Sequence, residues 1–335
     1  MADNEQVKGR LDEIIIPHAL RSLASMNLIR DITITGTTLK ITLASTALDE
    51  YSQQWISEKI RESLVGLPDI KDIDIDYVDA KPAELNKIKH VIAVMSGKGG
   101  VGKSLISSLT AVALRRKGYE VGILDADITG PSIPKMFGTM ERPGGSDSGL
   151  LPVTSKSGIE MMSINLLLPS EDEAVIWRGP LIGKAITQFW EEVLWGNLDY
   201  LVVDLPPGTA DASLTIMQQL PISGVIIVFT PQDLTAMIVK KAIKMCQKMD
   251  KQILAVVENM SYLYIPEIDK RIELFGKSSG DDMAKTANAP LLAQFPIDPQ
   301  LASLCDSGDI ERYDSEIMHQ FGQSLLEALK ANQLI

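Results

Sequence analysis

The sequence predicts an α/β protein in which helices flank a parallel sheet, with a small N-terminal α+β domain ahead of it. From residue 90 onward, short apolar runs recur with helix-sized segments between them, which is typical of strands that are buried on both faces. These runs are "VIAVMS", "EVGILDAD", "YLVVDLPP", "GVIIVFTP", "ILAVVENMS" and "PLLAQFP". The first 80 residues instead contain an alternating apolar and polar run, so they are expected to form a separate unit.

The N-terminal unit, residues 1–80, is expected to contain three strands and a helix. "LIRDITITG" and "TLKITLA" read as a strand pair joined around Gly36, and "ALDEYSQQWISEKIRESLVG" has helical spacing. In "IKDIDIDYV", Asp72, Asp74 and Asp76 alternate with apolar residues and therefore share one strand face. Three carboxylates on one face could hold a cation, but a solvated face that discourages edge pairing is the favoured interpretation.

Residues 81–89, "KPAELNKIK", are polar and contain Pro82, so they are predicted to link the first unit to a domain over residues 90–335. In an open parallel sheet, ligands bind beyond the carboxyl ends of the strands. The sequence therefore predicts that the residues at the strand ends converge on one edge. These residues are Gly97, Asp127, Asp204, Thr230 and Asn259.

The composition restricts the class of partners. The chain has 335 residues, a formal net charge of −12 and no tract rich in lysine and arginine, which argues against non-specific binding to nucleic acid or to an anionic membrane. Its apolar runs are strand-sized, and its start, "MADNEQVKGRLDE", lacks the apolar core of a secretory signal. The only cysteines, Cys246 and Cys305, form no CxxC. We therefore expect a cytoplasmic protein that binds no nucleic acid and no membrane.

The stretch "GKGGVGKS" at residues 97–104 matches the phosphate-loop pattern G-x-x-x-x-G-K-[ST], between an apolar run and a predicted helix. Glycines let the backbone N–H groups face a phosphate, and the following helix adds its positive N-terminal end. Lys103 is expected along the β- and γ-phosphates of ATP, and the Ser104 hydroxyl on Mg²⁺. The second domain is thus predicted to be a P-loop NTPase. The predicted nucleotide-binding residues of the loop are Gly97, Lys98, Gly99, Gly100, Val101, Gly102, Lys103 and Ser104.

Two further strand ends supply carboxylates to this predicted site. Asp204 ends the run "DYLVVD" and is expected to hold a magnesium-bound water, although an aspartate that caps a helix or a turn is the alternative. The stretch "LDAD" places Asp125 and Asp127 at another strand end. A carboxylate there can accept a hydrogen bond from the attacking water, which suits Asp127; a turn-forming aspartate is the alternative. Gly208 follows at a spacing from which its N–H could sense a γ-phosphate.

The loop carries a second lysine, Lys98, at its start. The pattern K-G-G-x-G-K-[ST] resembles the deviant phosphate loop of the SIMIBI class of NTPases, dimeric ATPases whose signature lysine crosses the subunit interface. The resemblance implies a homodimer with two nucleotides between the subunits, in which Lys98 joins Lys103 and Asp127 as a catalytic residue. A surface lysine in an anion-binding loop is the alternative.

A narrower resemblance covers nearly all of residues 90–335. "SGKGGVGKS", "LDADITGPSIPKMFG", "IWRGP", "LDYLVVDLPPGTADASLT", "TPQDLT", "VVENMSY" and "FPIDP" are similar, in order and spacing, to the Mrp/ApbC/Nbp35 family of iron–sulfur cluster carriers. By this resemblance, Asn259 hydrogen-bonds adenine, and Pro296 and Asp298 lie near the base or the ribose. The N-terminal unit resembles, more distantly, the small domain that bacterial members carry.

The sequence departs from this family at the expected cluster ligands. After "NMSY" the family reads x-x-C-P-x-C-G, and two such motifs across the dimer bridge one cluster. Here Pro266 is kept, but Ile265 and Ile268 occupy the cysteine positions and Asp269 replaces the glycine. Isoleucine offers no thiolate, so no iron–sulfur ligand is assigned. Cys246 lies in a predicted helix and is interpreted as a packing residue, and Cys305 is given no role.

The sequence therefore predicts a slow ATPase that carries iron–sulfur clusters, or assists their assembly, and transfers them to apoproteins. ATP and Mg²⁺ are its expected cofactors, and the cluster is expected only by family resemblance. Its expected partners are a second copy of the chain and apoprotein or assembly-factor clients. The alternative is a metal-free, ATP-dependent dimeric switch of the same family that has lost cluster binding, which the missing cysteines favour.

Overall fold

The structure is a computed structural model, and it describes residues 3–17, 19–127, 132–139, 141–167, 179–209, 211–265 and 268–335. The chain divides into two compact units. The first comprises Met1–Ile88, Arg142–Thr154 and Gln188–Leu198, and the second comprises Lys89–Glu141, Ser155–Thr187 and Asp199–Ile335. The predicted linker at 81–89 contains a short helix and the start of a strand. The division into domains at 1–80 and 90–335 stays a prediction.

The N-terminal part of the chain contains the three predicted strands and the predicted helix in order, together with short elements that were not predicted. They are α1 (Asn4–Asp12), β1 (Ile15–Ile16), β2 (Arg21–Ser22), β3 (Ile29–Thr35), β4 (Thr38–Ala44), α2 (Glu50–Leu64), β5 (Asp72–Val78) and α3 (Pro82–Leu85). The predicted hairpin is confirmed, because β3 pairs antiparallel with β4 around Gly36, whose φ is +63°. Strand β5 joins β4 in parallel and completes a three-stranded sheet.

Helix α2 forms where the sequence predicted a helix. It begins after Asp49, whose side chain accepts a hydrogen bond from the Ser52 N–H and so caps the N-terminus. Ile56, Ile60 and Leu64 recur at helical spacing and are buried in the core of the first unit. The three aspartates of β5 are exposed, as the interpretation of a solvated face requires.

The remaining elements follow the predicted alternation of strands and helices. They are β6 (Lys87–Ser96), α4 (Lys103–Arg116), β7 (Val121–Asp125), α5 (Ile133–Phe137), β8 (Gly145–Ser146), β9 (Gly149–Leu150), β10 (Val153–Thr154), β11 (Glu160–Ser163), α6 (Gly179–Glu192), β12 (Asn197–Asp204), α7 (Asp211–Gln219), β13 (Gly224–Phe229), α8 (Asp233–Lys248), β14 (Ile253–Glu258), β15 (Leu263–Ile265), β16 (Lys270–Ile272), α9 (Gly280–Ala287), β17 (Leu291–Gln294), α10 (Pro299–Ser307) and α11 (Glu316–Ala331). The described residues also include the 3₁₀ turns Ile164–Leu167 and Ile310–Arg312.

The main sheet has eight strands in the order β10-β11-β7-β12-β6-β13-β14-β17. All six predicted apolar runs are strands of it, and the registers of β7 with β12, β6 with β13, and β13 with β14 are parallel. Strands β7 and β13 are buried along their whole length, which explains their continuous apolar character. The predicted α/β class with a parallel sheet is therefore confirmed.

The core of the second unit lies between the sheet and helices that include α4 and α11. Leu109 of α4 and Leu325 of α11 are buried in the same cluster as Ile92 and Val94 of β6. Phe321 of α11 also lies there, in an edge-on contact with Phe295. Within the described ranges, no helix is both long enough and apolar enough to cross a bilayer.

Candidate nucleotide site

Three adjacent strands of the sheet, β7, β12 and β6, end beside one another. Asp125 and Asp204, the last residues of β7 and β12, are opposite each other in the strand register. Ser96 ends β6, and the phosphate loop follows it directly. The parallel sheet therefore brings the predicted loop and both carboxylate-bearing strand ends to one edge.

The phosphate loop has a backbone that side chains would disrupt. Gly100 and Gly102 adopt φ values of +77° and +81°, in the left-handed region that favours glycine. A Cβ added at Gly102 would also collide with the side-chain nitrogen of Asn259. Helix α4 begins at the next residue, Lys103, so the unpaired N–H groups of its first turn lie at the end of the loop. This arrangement suits an anion.

Lys103 and Asp204 form a buried ion pair at the centre of this edge. The Lys103 ammonium lies 2.7 Å from Oδ2 of Asp204, and the two side chains are 5% and 0% exposed. The Ser104 hydroxyl donates to Oδ2 over 2.5 Å, and the Ser107 hydroxyl donates to Oδ1 over 2.6 Å. Both oxygens of a fully buried carboxylate are thus compensated, as burial of a charge requires. Ser107 was not anticipated from the sequence.

The "LDAD" carboxylates lie on the other side of Lys103. Oδ2 of Asp127 is 3.4 Å from the Lys103 ammonium. Asp125 is 1% exposed, and it accepts hydrogen bonds from the Ser163 hydroxyl and the Asp127 N–H. Burial, and secondly the negative charge of Asp204, raise the pKa of Asp125 to about 8. Ser163 belongs to β11, a strand that the sequence reading missed.

Lys98 lies apart from this cluster. Its ammonium donates over 2.5 Å to Oε1 of Gln232, the residue that precedes α8. Within one chain, Lys98 therefore contacts the start of α8, whereas Lys103 contacts Asp204. The Gly208 N–H donates to the Ser96 carbonyl over 3.0 Å. Both residues therefore have intrachain partners at the same edge of the sheet.

Asn259 lies against the phosphate loop. It is 2% exposed, and its side-chain nitrogen donates to the Val101 carbonyl over 2.9 Å. Its backbone N–H donates to the Phe229 carbonyl. The residue before it, Glu258, is fully buried and accepts four hydrogen bonds. The donors are the Ser261 hydroxyl (2.5 Å), the Ser278 hydroxyl (2.7 Å), the Ser279 N–H (2.8 Å) and the Gln294 amide (3.0 Å).

Pro296 and Asp298 follow β17. Pro296 is half-buried. Asp298 caps α10, where its Oδ1 accepts from the Gln300 and Leu301 N–H groups, and its Oδ2 accepts from the Tyr313 hydroxyl over 2.8 Å. Both carboxylate oxygens of Asp298 therefore have partners within the fold, and contact of either residue with a nucleotide stays a prediction.

The family's cluster position falls on a small antiparallel hairpin, β15–β16. Ile265 is half-buried, Ile268 is 63% exposed, and Pro266 lies outside the described residues. Cys246 is buried in α8 against Met95, as the packing interpretation predicted, and burial raises its pKa to about 12. Cys305 is half-buried. Across the parts of the chain that the structure describes, no three His, Cys, Asp or Glu side chains are placed to hold a metal ion.

Comparison with known protein families identifies both parts of the chain. Residues 87–329 match the family described as NUBPL iron-transfer P-loop NTPase, and residues 4–76 match the family described as iron-sulfur cluster assembly protein. Two similar relatives are named iron-sulfur cluster carrier protein. The one from Aquifex aeolicus is 37% identical over 325 residues, 88% of each chain, and the one from Clostridium perfringens is 43% identical over 247 residues, 70% of this chain and 87% of its own length.

Solved structures agree with the architecture. A nucleotide-binding protein from Archaeoglobus fulgidus, in complex with ADP, is 45% identical, with a TM-score of 0.62 over 69% of this chain and 91% of its own. The MinC:MinD cell division complex of Aquifex aeolicus is 21% identical, with a TM-score of 0.51 over 71% and 96%, a likeness of fold alone. The chain therefore belongs to the iron-transfer P-loop NTPase family, as its motifs predicted.

Proposed function

We propose that this protein is a homodimeric, ATP-hydrolysing iron–sulfur cluster carrier or assembly protein of the cytoplasm that delivers clusters to apoproteins. The match to iron-transfer NTPases across residues 87–329 supports the assignment of function. The set formed by the buried Lys103 and Asp204 and the half-buried Ser104 carries the nucleotide part, because it combines a phosphate-binding cation with oxygen ligands for a divalent ion.

The nucleotide part of the proposal assigns a task to each residue of this set. Lys103 exchanges its contact with Asp204 for the β- and γ-phosphates of ATP. The hydroxyl of Ser104 and the carboxylate of Asp204 are hard oxygen donors, which fit Mg²⁺: Ser104 would bind the ion and Asp204 a water on it. When bound, Mg²⁺ supplies neutralisation of the phosphate charge. The full burial of Asp204, with both its oxygens already accepting hydrogen bonds or an ion pair, keeps these donors oriented.

Hydrolysis requires a proton acceptor for the attacking water. We assign this role to Asp127, which lies 3.4 Å from Lys103 and thus at the phosphate end of the site. As water attacks the γ-phosphorus and the bond to the bridging oxygen breaks, Asp127 accepts a hydrogen bond and then the water's proton. Lys98 is assigned to the partner's phosphates across the dimer and leaves Gln232 when the dimer closes. Asn259, Pro296 and Asp298 are assigned to the base and the ribose.

The cluster part concerns cargo that this chain does not ligate in the family's usual way. Ile265 and Ile268 offer no thiolate on the hairpin. On this proposal, a cluster that passes through the protein takes its thiolates from outside the hairpin, chiefly from the proteins that deliver and accept it. The same two isoleucines favour the second candidate, a metal-free dimeric switch, which the proposal has to exclude by experiment.

A delivery assay separates the two candidates. Anaerobic protein, MgATP, iron, sulfide and glutathione are mixed with an apo-ferredoxin, and the visible absorbance of the acceptor's cluster is followed. The carrier proposal predicts faster cluster formation on the acceptor than without the protein, and loss of the acceleration in Lys103→Ala. If the protein gives no acceleration with any nucleotide, the carrier proposal is wrong and the metal-free switch stands.

A further inference from the structure

Helix α8 carries a row of lysines in a chain whose net charge is −12. Lys240, Lys241, Lys244 and Lys248 are all exposed. The last three are spaced by three and four residues, which places them on one face of the helix. None of these lysines takes part in any ion pair between described residues. Among the described residues, the row is therefore a local positive charge without an ion-pair partner.

The same face borders a groove of about 330 Å³ between α7 and α8. Met245 and Met249 line it from α8, and Thr209 and Leu214 line it from the side of α7. Met237, at the other end of α8, leaves 58% of its surface exposed. Methionine is unbranched and adapts to varied apolar surfaces, so it suits a binding floor. The groove thus combines an apolar floor with a positive rim.

Both walls of this groove begin at the candidate nucleotide site. Helix α8 follows Gln232, which accepts the Lys98 hydrogen bond. Helix α7 follows the turn after Asp204, where the Gly208 N–H is bonded to Ser96 at the start of the phosphate loop. A rearrangement of either contact on nucleotide binding would therefore move one wall against the other.

We propose that the α7–α8 groove is a docking site for an acidic, amphipathic segment of a protein partner, and that the bound nucleotide changes its affinity. Charge complementarity selects an acidic partner, and the methionine and leucine floor selects one that also presents apolar side chains. A nucleic acid backbone or a lipid headgroup would leave that floor unused, and the net charge of −12 opposes extended polyanions. The docking surface does not depend on whether this chain carries a cluster.

Binding of a defined probe tests the proposal. The probe is a labelled synthetic peptide with glutamate and leucine at helical spacing, and its fluorescence anisotropy is measured with the full chain in each nucleotide state. Lys241→Glu, Lys244→Glu and Lys248→Glu are combined in one variant. Lys277→Glu, Lys285→Glu and Lys330→Glu, all at exposed positions, form a control with the same change of net charge. We expect about tenfold weaker binding in the α8 variant and little change in the control.

A second variant and two other probes examine the apolar floor and the class of partner. Met245→Gln keeps the length of the side chain but makes it polar. It should therefore weaken binding of the peptide without altering the salt dependence of that binding. Equal binding of the peptide by the α8 triple variant and its control overturns the proposal. The proposal is also overturned if the α8 triple variant loses more affinity for duplex DNA or for phosphatidylglycerol vesicles than for the peptide. A third outcome would also overturn it: a wild-type protein and a control variant that are dimers, with an α8 triple variant that is a monomer. The occupant of the groove would then be a second copy of the chain.

Discussion

The phosphate-loop edge of the sheet and the β15–β16 hairpin belong to the same unit but use their polar groups differently. At the edge, Lys103, Asp204 and Ser104 are joined by an ion pair and a hydrogen bond, and Asp204 is fully buried. On the hairpin, Ile268 and Tyr264 are exposed, and the Tyr264 hydroxyl donates to a surface carboxylate, Asp269. The edge is organised around a buried ion pair, whereas the hairpin exposes apolar side chains among charged ones such as Lys270 and Arg271.

Family membership alone would assign both nucleotide binding and cluster ligation to this chain, but the two regions differ in how well they fit these tasks. Burial of a cation and a carboxylate costs desolvation free energy, and such groups concentrate at functional sites, so the edge has the composition of a phosphate site. The hairpin has the family's position and proline register but not its thiolates. Nucleotide chemistry and cluster ligation can therefore be tested one at a time in this chain.

The first break in the comparison is expected from Lys103→Ala. The change removes the phosphate cation and leaves Asp204 buried without its counter-charge, so the binding free energy of MgADP should fall by about 3 kcal/mol, which is roughly a 150-fold loss of affinity. Titration calorimetry measures it, with Lys117→Ala, an exposed lysine at the end of α4, as the control. Undiminished affinity in Lys103→Ala would mean that the nucleotide lies elsewhere.

Asp127→Asn should slow ATP hydrolysis at the phosphate-loop edge without preventing ATP binding. An amide cannot take a proton from water, so the rate of ATP hydrolysis should fall by about 10²- to 10⁴-fold while ATP still binds. Phosphate release under single-turnover conditions measures the chemical step, and calorimetry checks the binding. Hydrolysis at the wild-type rate in this variant would remove Asp127 from the mechanism.

Glu258→Gln should destabilise the segment that joins the phosphate-loop edge, at Asn259, to the β15–β16 hairpin. Glu258 precedes Asn259, and its carboxylate accepts from Ser261 before the hairpin and from Ser278 after it. A glutamine would place an N–H₂ group among donors, so the free energy of unfolding should fall by about 1–3 kcal/mol. Urea unfolding measures this, with the exposed Glu273→Gln as the matched control. Equal losses in the two variants would show that the four hydrogen bonds are not what holds the hairpin segment.

The last effect concerns Asp125 and the pH dependence of stability. The pKa of Asp125 is raised from 3.8 to about 8. Between these two pH values, the carboxyl group is protonated in the folded state and ionised in the unfolded state. Stability should therefore fall as pH rises through this interval, by at most about 1.4 kcal/mol per pH unit. Asp125→Asn should flatten this dependence in nucleotide-free protein with a chelator. An unchanged slope in urea midpoints between pH 5 and pH 8 would place the titration on another group.

Much of the fold and of the site was predictable because each signal was local. The buried apolar runs, the glycines of the loop and the strand-end aspartates are all contiguous in sequence. Strand β11 was missed because "EMMS" has only two apolar residues between two polar ones and so lacks a continuous apolar run. The partners of Glu258 were missed because Ser261, Ser278 and Gln294 meet only when separate segments pack together. Likewise, nothing in the sequence indicates the contact of Lys98 with Gln232.

The hairpin offers the most direct test of the contrast between the two regions. The chain with Cys246→Ser and Cys305→Ser is compared with the same chain carrying Ile265→Cys and Ile268→Cys in addition. Both are reconstituted anaerobically, and iron, sulfide and mass in solution are measured. We expect one cluster per dimer only after the two hairpin cysteines are added, because a bridging cluster needs four thiolates. A stoichiometric cluster in the cysteine-free chain would contradict this account of the hairpin.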